Sequence, residues 1–497
     1  MKEVNDLEDN QHNDSKKEKQ KNKHIKMKKF TFVMLIFLLV FSTAGITTFV
    51  LSFGEEKVAD VGATSSHRQE FAKLFDAYDE LHKEYYKSLD DEKLISGAIN
   101  GMVDALDDPY SDYLTVEEAE KFHESISSSF EGIGAEIQEQ GGYVVVVSPI
   151  KGSPAEKAGL KPNDKILEVD EKSIRGMSAS EAVLLIRGKK GTKVKLKIQR
   201  GENEKPSEVT ITRDEIPVET VYTEKLKDDI WKVQITSFSE NTYDDLLVAL
   251  EKAEKKGMKG LILDLRQNPG GLLDQAINIS NLFIPEGKLL FQTEMKDGSI
   301  EKFKADNGEK IDIPLAIIID DGSASASEIL AAAVKESADV PLIGNRSFGK
   351  GTVQTAKDFS DGSNLKYTSA KWLTPKGNWI HEKGIKPDHK VNLPKYASLP
   401  FINPDNKLKE SSLSDEVKVA KQMLKALGYK PGKIDGYYSE ETVKAVKAFQ
   451  KDEKLKVDGI LHGDTTMKLM NKLRDKIEKN DTQVKKAVEV LKEETKQ

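Results

Sequence analysis

Pro314-Leu-Ala-Ile-Ile-Ile319 is a continuous apolar run. Runs of this length are buried on both faces of a parallel or mixed sheet. It is followed at once by Asp320-Asp-Gly-Ser-Ala-Ser-Ala-Ser-Glu328 and then by Ser327-Glu-Ile-Leu-Ala-Ala-Ala-Val-Lys335, which reads as a helix. The unit is therefore strand, small-residue turn, helix. At its junction the free N–H groups of the first helical turn meet the positive end of the helix dipole. A serine placed there has donors beside it that can stabilise the oxyanion of acyl transfer. Read as structure alone, the same turn is a helix cap, because serine is common at helix N-termini.

A second stretch, Gly349-Lys-Gly-Thr-Val-Gln354, sets one lysine between two glycines. Lys350 and Gln354 share a face whether the segment is helix or strand, so Gln354 can orient the lysine amine. Burial among Gly, Phe348 and Val353 removes the water that favours the charged form, and burial can lower a lysine pKa by several units from about 10.4. A neutral amine can take a serine proton. The segment also contains a decoy. Gly344-Asn-Arg-Ser-Phe-Gly-Lys-Gly351 nearly matches a phosphate-binding loop, but Gly351 stands where Ser or Thr would hold magnesium.

Other chemistries fit less well. No G-x-S-x-G elbow is present. Ser299-Ile-Glu-Lys302 fits S-x-x-K but lies in a polar stretch that reads as a hairpin turn. The 8 histidines are scattered without metal-ligand spacing, and the absence of Cys excludes thiol catalysis, disulfides and thiolate metal sites. No cofactor and no metal are expected. Net charge is −7, without the basic excess that nucleic-acid partners require.

Seven motifs in order carry a resemblance: Asp108-Pro-Tyr-Ser-Asp-Tyr-Leu-Thr115, Gly132-Ile-Gly-Ala-Glu136, Gly152-Ser-Pro-Ala-Glu-Lys-Ala-Gly-Leu160, Asp264-Leu-Arg-Gln-Asn-Pro-Gly-Gly271, Gly322-Ser-Ala-Ser-Ala-Ser-Glu328, Gly349-Lys-Gly-Thr-Val-Gln354 and Gly384-Ile-Lys-Pro-Asp388. Together they resemble the C-terminal processing peptidase (tail-specific protease) family over roughly residues 66–400. The resemblance implies a multidomain α/β serine endopeptidase whose core is related to the crotonase and Clp protease folds. It places the nucleophile on Ser325, the base on Lys350 and the residue orienting it on Gln354; spacing alone does not choose among Ser323, Ser325 and Ser327. It also places an oxyanion hole at the backbone N–H of Gly270 or Gly271 together with that of Ala326. Physically, Pro269-Gly-Gly271 lets the backbone turn sharply and approach a ligand.

Organisation follows from changes in pattern. Residues 1–29 are polar, carry nine lysines and read as a disordered basic tail. Residues 30–53 hold no charge and are long enough to span a bilayer. The lysines before the run, against Gly54-Glu-Glu56 after it, place the N-terminus inside and the rest outside the cytoplasm. Residues 54–117 are an N-terminal helical segment, amphipathic from 66 to 106. Residues 118–213 turn to short strands and resemble a PDZ (α+β) domain inserted ahead of the protease core of 214–400. In that domain Gly132, Ile133, Gly134 and Ala135 would form the loop that holds a peptide carboxylate by strand addition. Arg187 would meet the peptide or the core, or stand in solvent. Trp372, Trp379 and His381 read as packing residues.

Residues 401–414 read as a polar linker and 415–474 as a small helical unit with a repeated turn, Asp435-Gly-Tyr-Tyr-Ser439 and Asp458-Gly-Ile-Leu-His462. This unit resembles the peptidoglycan-binding domain of cell-wall enzymes, and such units also serve for docking or dimerisation. Residues 475–497 read as a charged tail, with 476–497 a frayed helix. The expected partners are protein or peptide substrates with free C-termini, a membrane crossed once, peptidoglycan, and a second copy of the chain as a homodimer. A non-catalytic scaffold made of the PDZ and wall-binding modules on a dead protease fold is the competing reading.

Overall fold

The computed structural model describes residues 69–201, 204–306 and 310–494. The basic tail and the apolar run 30–53 lie outside the described residues. Among the described residues no helix is long and apolar enough to cross a membrane. The chain divides into two compact units, 1–94 and 95–497. In the first, helix α1 (Ala72–Glu84) buries none of its residues and leaves Leu74, Phe75 and Leu81 exposed. Helix α2 (Asp91–Asp104) follows it.

Strand β1 (Asp112–Leu114) leads into α3 (Val116–Ile126), which a Thr115–Glu118 capping box opens. The region expected to be a PDZ domain begins with the ribbon of β2 (Ser129–Gly132), which pairs with β9 (Asp214–Pro217). Within it lies an antiparallel sheet of β3 (Ala135–Gln140), β4 (Tyr143–Pro149), β5 (Lys165–Val169), β6 (Lys172–Ser173), β7 (Lys193–Gln199) and β8 (Ser207–Thr212). Short α4 (Pro154–Lys157) and α5 (Ala179–Ile186) accompany it. Alternate residues Val144, Val146, Val194, Leu196 and Ile198 point inward and close one core. Strand β3 lies at the sheet edge.

The region expected to be the protease core is built on a six-stranded sheet in the order β10 (Val221–Lys225), β11 (Ile230–Ile235), β12 (Gly260–Asp264), β15 (Leu315–Ile319), β16 (Leu342–Gly344), β19 (His389–Lys390). Only the β10–β11 pair is antiparallel. Helices α6 (Thr242–Lys255), α7 (Leu273–Asn281) and α8 (Ala326–Ala338) connect and cover it. A second, antiparallel sheet joins β1, β13 (Leu289–Met295), β14 (Ile300–Lys304), β17 (Thr352–Asp358) and β18 (Asn364–Leu373). Ser299 lies in the β13–β14 hairpin turn, as expected from its polar setting.

Both faces of β12 and β15 are buried, which is why their sequences are uninterruptedly apolar. Leu261, Leu263, Ile317 and Ile319 face α6–α8 and the second sheet through Phe291 and Trp372. Ile262, Ala316 and Ile318 face the other way, with Ile230 and Ile343, against the last helix of the chain.

The helical unit holds α9 (Asp415–Leu427), α10 (Glu440–Asp452) and α11 (Asp464–Lys479) around one core. Each repeated Asp-Gly turn is gripped by a preceding helix: Lys421 Nζ donates to Asp435 at 2.8 Å, and Gln450 Nε2 to Asp458 at 2.9 Å. Two expectations are corrected. The linker 401–414 is not free, since Ile402 and Leu408 are buried in this core and Leu408 pairs with Leu461. The charged tail is not frayed either, because α12 (Thr482–Glu494) buries Val484, Ala487 and Leu491 against the central sheet. Its charges occupy the outward positions while the apolar residues recur at helical spacing.

Candidate active site

Ser325 caps the N-terminus of α8 with φ 53° and ψ −114°, a region an L-residue rarely adopts. Such strain persists only where the surroundings over-determine it, and here they do. The Ser325 N–H donates to Glu328 Oε2 at 2.9 Å. Asn268 O accepts from the Ala324 N–H at 3.0 Å and from Ser327 Oγ at 2.9 Å. Gly270 lies so close that a Cβ on it would stand 2.9 Å from Ser325 Cβ and 2.8 Å from Ala324 O. Only glycine fits there.

The three serines now separate. Ser323 is fully buried and its hydroxyl donates to Leu265 O at 2.7 Å. Ser327 is fully buried and spent on Asn268. The Ser325 hydroxyl makes no capping bond and borders a cavity of about 480 Å³. The same cavity is lined by Gly271, Ala326, Lys350, Gln354 and Tyr110, with an apolar wall that includes Ile126, Leu272, Ile329 and Val353.

Residues 345–351 join β16 to β17, and no helix follows them. The decoy phosphate loop therefore has no helix N-terminus on which to seat a phosphate. Instead the segment presents Lys350. The Lys350 N–H donates to Glu328 Oε2 at 2.8 Å, and its carbonyl accepts from Trp372 Nε1 at 2.7 Å. Trp379 Nε1 donates to Gly351 O at 2.8 Å. The tryptophans expected first to pack thus also fix the backbone of the lysine. Burial lowers the pKa of Lys350, and the nearby Lys366 cation lowers it further, while Asp108 and Glu328 oppose both. Its Nζ stands 5.0 Å from the centre of the Tyr110 ring. Gln354 lines the cavity, yet its amide donates to Thr352 Oγ1 at 2.9 Å and Thr368 Oγ1 at 3.3 Å, not to Lys350.

Of the two glycines expected to offer an oxyanion donor, Gly270 has its N–H bound to Asn268 Oδ1 at 2.9 Å. Gly271 and Ala326 border the cavity, and neither N–H has a partner among the described residues. Gly270 serves close approach; Gly271 holds the free donor.

Sequence reading missed Glu328, which is buried and ties the two halves of the site together. One oxygen accepts the N–H groups of Ser325 and Lys350; the other accepts Ser347 Oγ at 2.6 Å and the Gly349 N–H at 2.7 Å. Burial raises its pKa, and these donors pull against the rise. The only signal in the chain is its position three residues after Ser325, which reads as an ordinary capping-box glutamate. Among the described residues no acidic or histidine cluster could hold a metal.

The loop Gly132–Ala135 joins β2 to the edge strand β3. Gly134 has φ 71°, and a Cβ there would meet Ser153 Cβ at 2.5 Å. Arg187 stands beside Gly132, pairs with Glu124 of α3 at 2.5 Å and covers the Phe130 ring at 4.6 Å. Its side chain remains 39% exposed.

Comparison with known proteins matches residues 229–391 to peptidase family S41, 124–199 to the PDZ domain, and 414–470 to a putative peptidoglycan binding domain. Residues 46–118 match the N-terminal domain of the activating protease CtpB. Carboxy-terminal processing protease CtpA of Bacillus subtilis is 52% identical over 466 residues, 94% of this chain and 99% of that protein. CtpB of the same organism is 42% identical over 91% of this chain and 97% of its own. Among solved structures, a photosystem II D1 C-terminal processing protease is 30% identical, with a TM-score of 0.40 over 64% of this chain and 88% of that one.

Proposed function

The chain belongs to peptidase family S41 as a carboxy-terminal processing serine endopeptidase, and on that premise we propose that it cleaves through Ser325 and Lys350 outside the cytoplasm. Neutral Lys350 takes the proton of Ser325 Oγ as that oxygen attacks the scissile carbonyl. The N–H groups of Gly271 and Ala326 receive the negative charge on the carbonyl oxygen. The lysine then protonates the departing amine, and Lys350, neutral again, takes a proton from the water that attacks the acyl group and returns it to Ser325 Oγ as that oxygen leaves. Gln354 orients the amine through its carbonyl oxygen, and the Gly132–Ala135 loop holds the substrate C-terminal carboxylate.

One observation carries this reading. Of three neighbouring serines, only Ser325 has an uncommitted hydroxyl, and it faces a cavity shared with a half-buried lysine and two unpaired N–H groups. The test is cleavage of a tail-tagged substrate by Ser325→Ala, Ser323→Ala and Lys350→Arg. Arginine keeps the charge but does not deprotonate. An active Lys350→Arg enzyme removes the lysine base.

The uncharged run 30–53 behind a lysine-rich tail supports a single-pass anchor with the N-terminus inside and the protease outside. Proteolysis of intact cells tests it: a tag at residue 2 should survive. The exposed apolar residues of α1 support self-association of the chain as a homodimer, which sedimentation of the soluble portion tests.

A further inference from the structure

We propose that Asp481 and Gln483, on the C-terminal segment and outside the catalytic cavity, are positioning residues for proteolysis: they lock Arg266 and through it the turn that presents Gly271. The proposal rests on the reading of Gly271 as an oxyanion donor.

Arg266 lies in the turn that follows β12 and ends at Gly271. Its side chain is only 14% exposed. Two of its nitrogens form a fork on Asp264, Nε at 2.8 Å and Nη2 at 2.6 Å. The third, Nη1, reaches out of the protease core to Gln483 Oε1 at 2.9 Å and Asp481 Oδ2 at 2.8 Å. Those two residues are themselves fixed. The other Asp481 oxygen caps α12, accepting the N–H groups of Gln483 and Val484, both at 2.9 Å. Gln483 Nε2 donates to Val391 O at 2.8 Å, and Thr482 Oγ1 to Asn392 O at 2.7 Å.

From Arg266 inward, Gln267, Asn268 and Gly270 are each held. Gln267, at φ 56°, binds both oxygens of Asp320. Asn268 donates to Ile235 O at 2.8 Å and accepts the Gly270 N–H. Gly270 then touches Ser325. Asp264 still balances the charge of an arginine deprived of Asp481 and Gln483, but its poorly solvated Nη1 loses both acceptors and seeks water. Its movement drags the turn, and a displacement of about 1 Å at a catalytic group can cost about a hundredfold in rate.

The experiment uses the full-length protein with Asp481→Asn and Gln483→Met combined. Asparagine keeps the helix cap, so α12 stays seated while Arg266 loses its outer charge and acceptor. On a tail-tagged substrate kcat should fall about tenfold or more, with KM changed by less than about twofold. Asp481→Glu in the otherwise unaltered chain should keep most of the activity. Thermal melting is followed alongside. Unchanged kcat overturns the proposal, and so does a kcat that falls only in proportion to the unfolded fraction. Ser325→Ala is assayed in the same series. If it stays active, the mechanistic reading fails; if it is dead while the double variant runs at full rate, only the clamp fails.

Discussion

One face of the central sheet is covered by α6, α7 and α8, which lie in the chain between or beside its own strands. The other is covered by α12, which arrives only after the whole three-helix unit of 402–479. The first face carries Ser325 on α8 and the Gly271 turn before α7. The second carries no group that touches the cavity, yet its helix starts on the residues that grip Arg266. The lesson is that the catalytic layer and its outer cover are made by distant parts of the chain. A C-terminal segment that composition marks as a tail is a structural layer of the protease.

The largest effect that tests this contrast belongs to the catalytic face. Ser325→Ala should lower kcat by about a thousandfold or more, as loss of a nucleophile does, with an unchanged melting temperature. Survival of activity would move the chemistry away from α8.

Glu328→Gln comes next. An amide offers one acceptor oxygen where the carboxylate serves four donors, so either the Ser325 and Lys350 N–H groups or the Ser347 hydroxyl and Gly349 N–H lose their acceptor. Each buried orphan costs about 1–3 kcal/mol. Activity and stability should therefore fall together, and a stable, active variant would show that Glu328 does not join the two segments.

On the outer face, Leu491→Ala removes a side chain only 1% exposed and should cost about 2–4 kcal/mol of stability with kcat retained. Chemical denaturation measures it. Set against the Asp481 variant, this separates the body of α12, which stabilises, from its first turn, which positions. Loss of kcat in both would merge the two roles.

The smallest effect concerns pH. The proposed mechanism requires neutral Lys350, so activity should rise with pH along a limb centred below the ordinary lysine range, since burial and Lys366 both lower that pKa. Lys366→Met removes the second cause. The Lys350 pKa then climbs, and the limb should move to higher pH with its plateau unchanged. A limb that stays in place would mean that Lys366 does not act on the base.

The strand at 314–319, the small-residue turn after it and the order of the modules are legible in the chain alone. These are local matters: apolar continuity, backbone freedom and helix propensity act within about ten residues, and seven ordered motifs supply the rest. It also brought Ser325, Lys350 and Gln354 forward together by resemblance. Spacing could not choose among the three serines; the tertiary structure adds a physical reason for Ser325, because the hydroxyls of Ser323 and Ser327 donate to Leu265 O and Asn268 O. Only it distinguished Gly271 from Gly270, through the Asn268 side chain. It also turned Glu328 from a helix cap into the joint between the Ser325 and Lys350 segments, and the charged tail into a layer of the core. In each case the deciding partner lies elsewhere in the fold, where no spacing in the chain records it. A hydrogen bond or an apolar contact depends on distance in space, and Asp481 reaches Arg266 only once the helical unit has brought the chain back to the sheet.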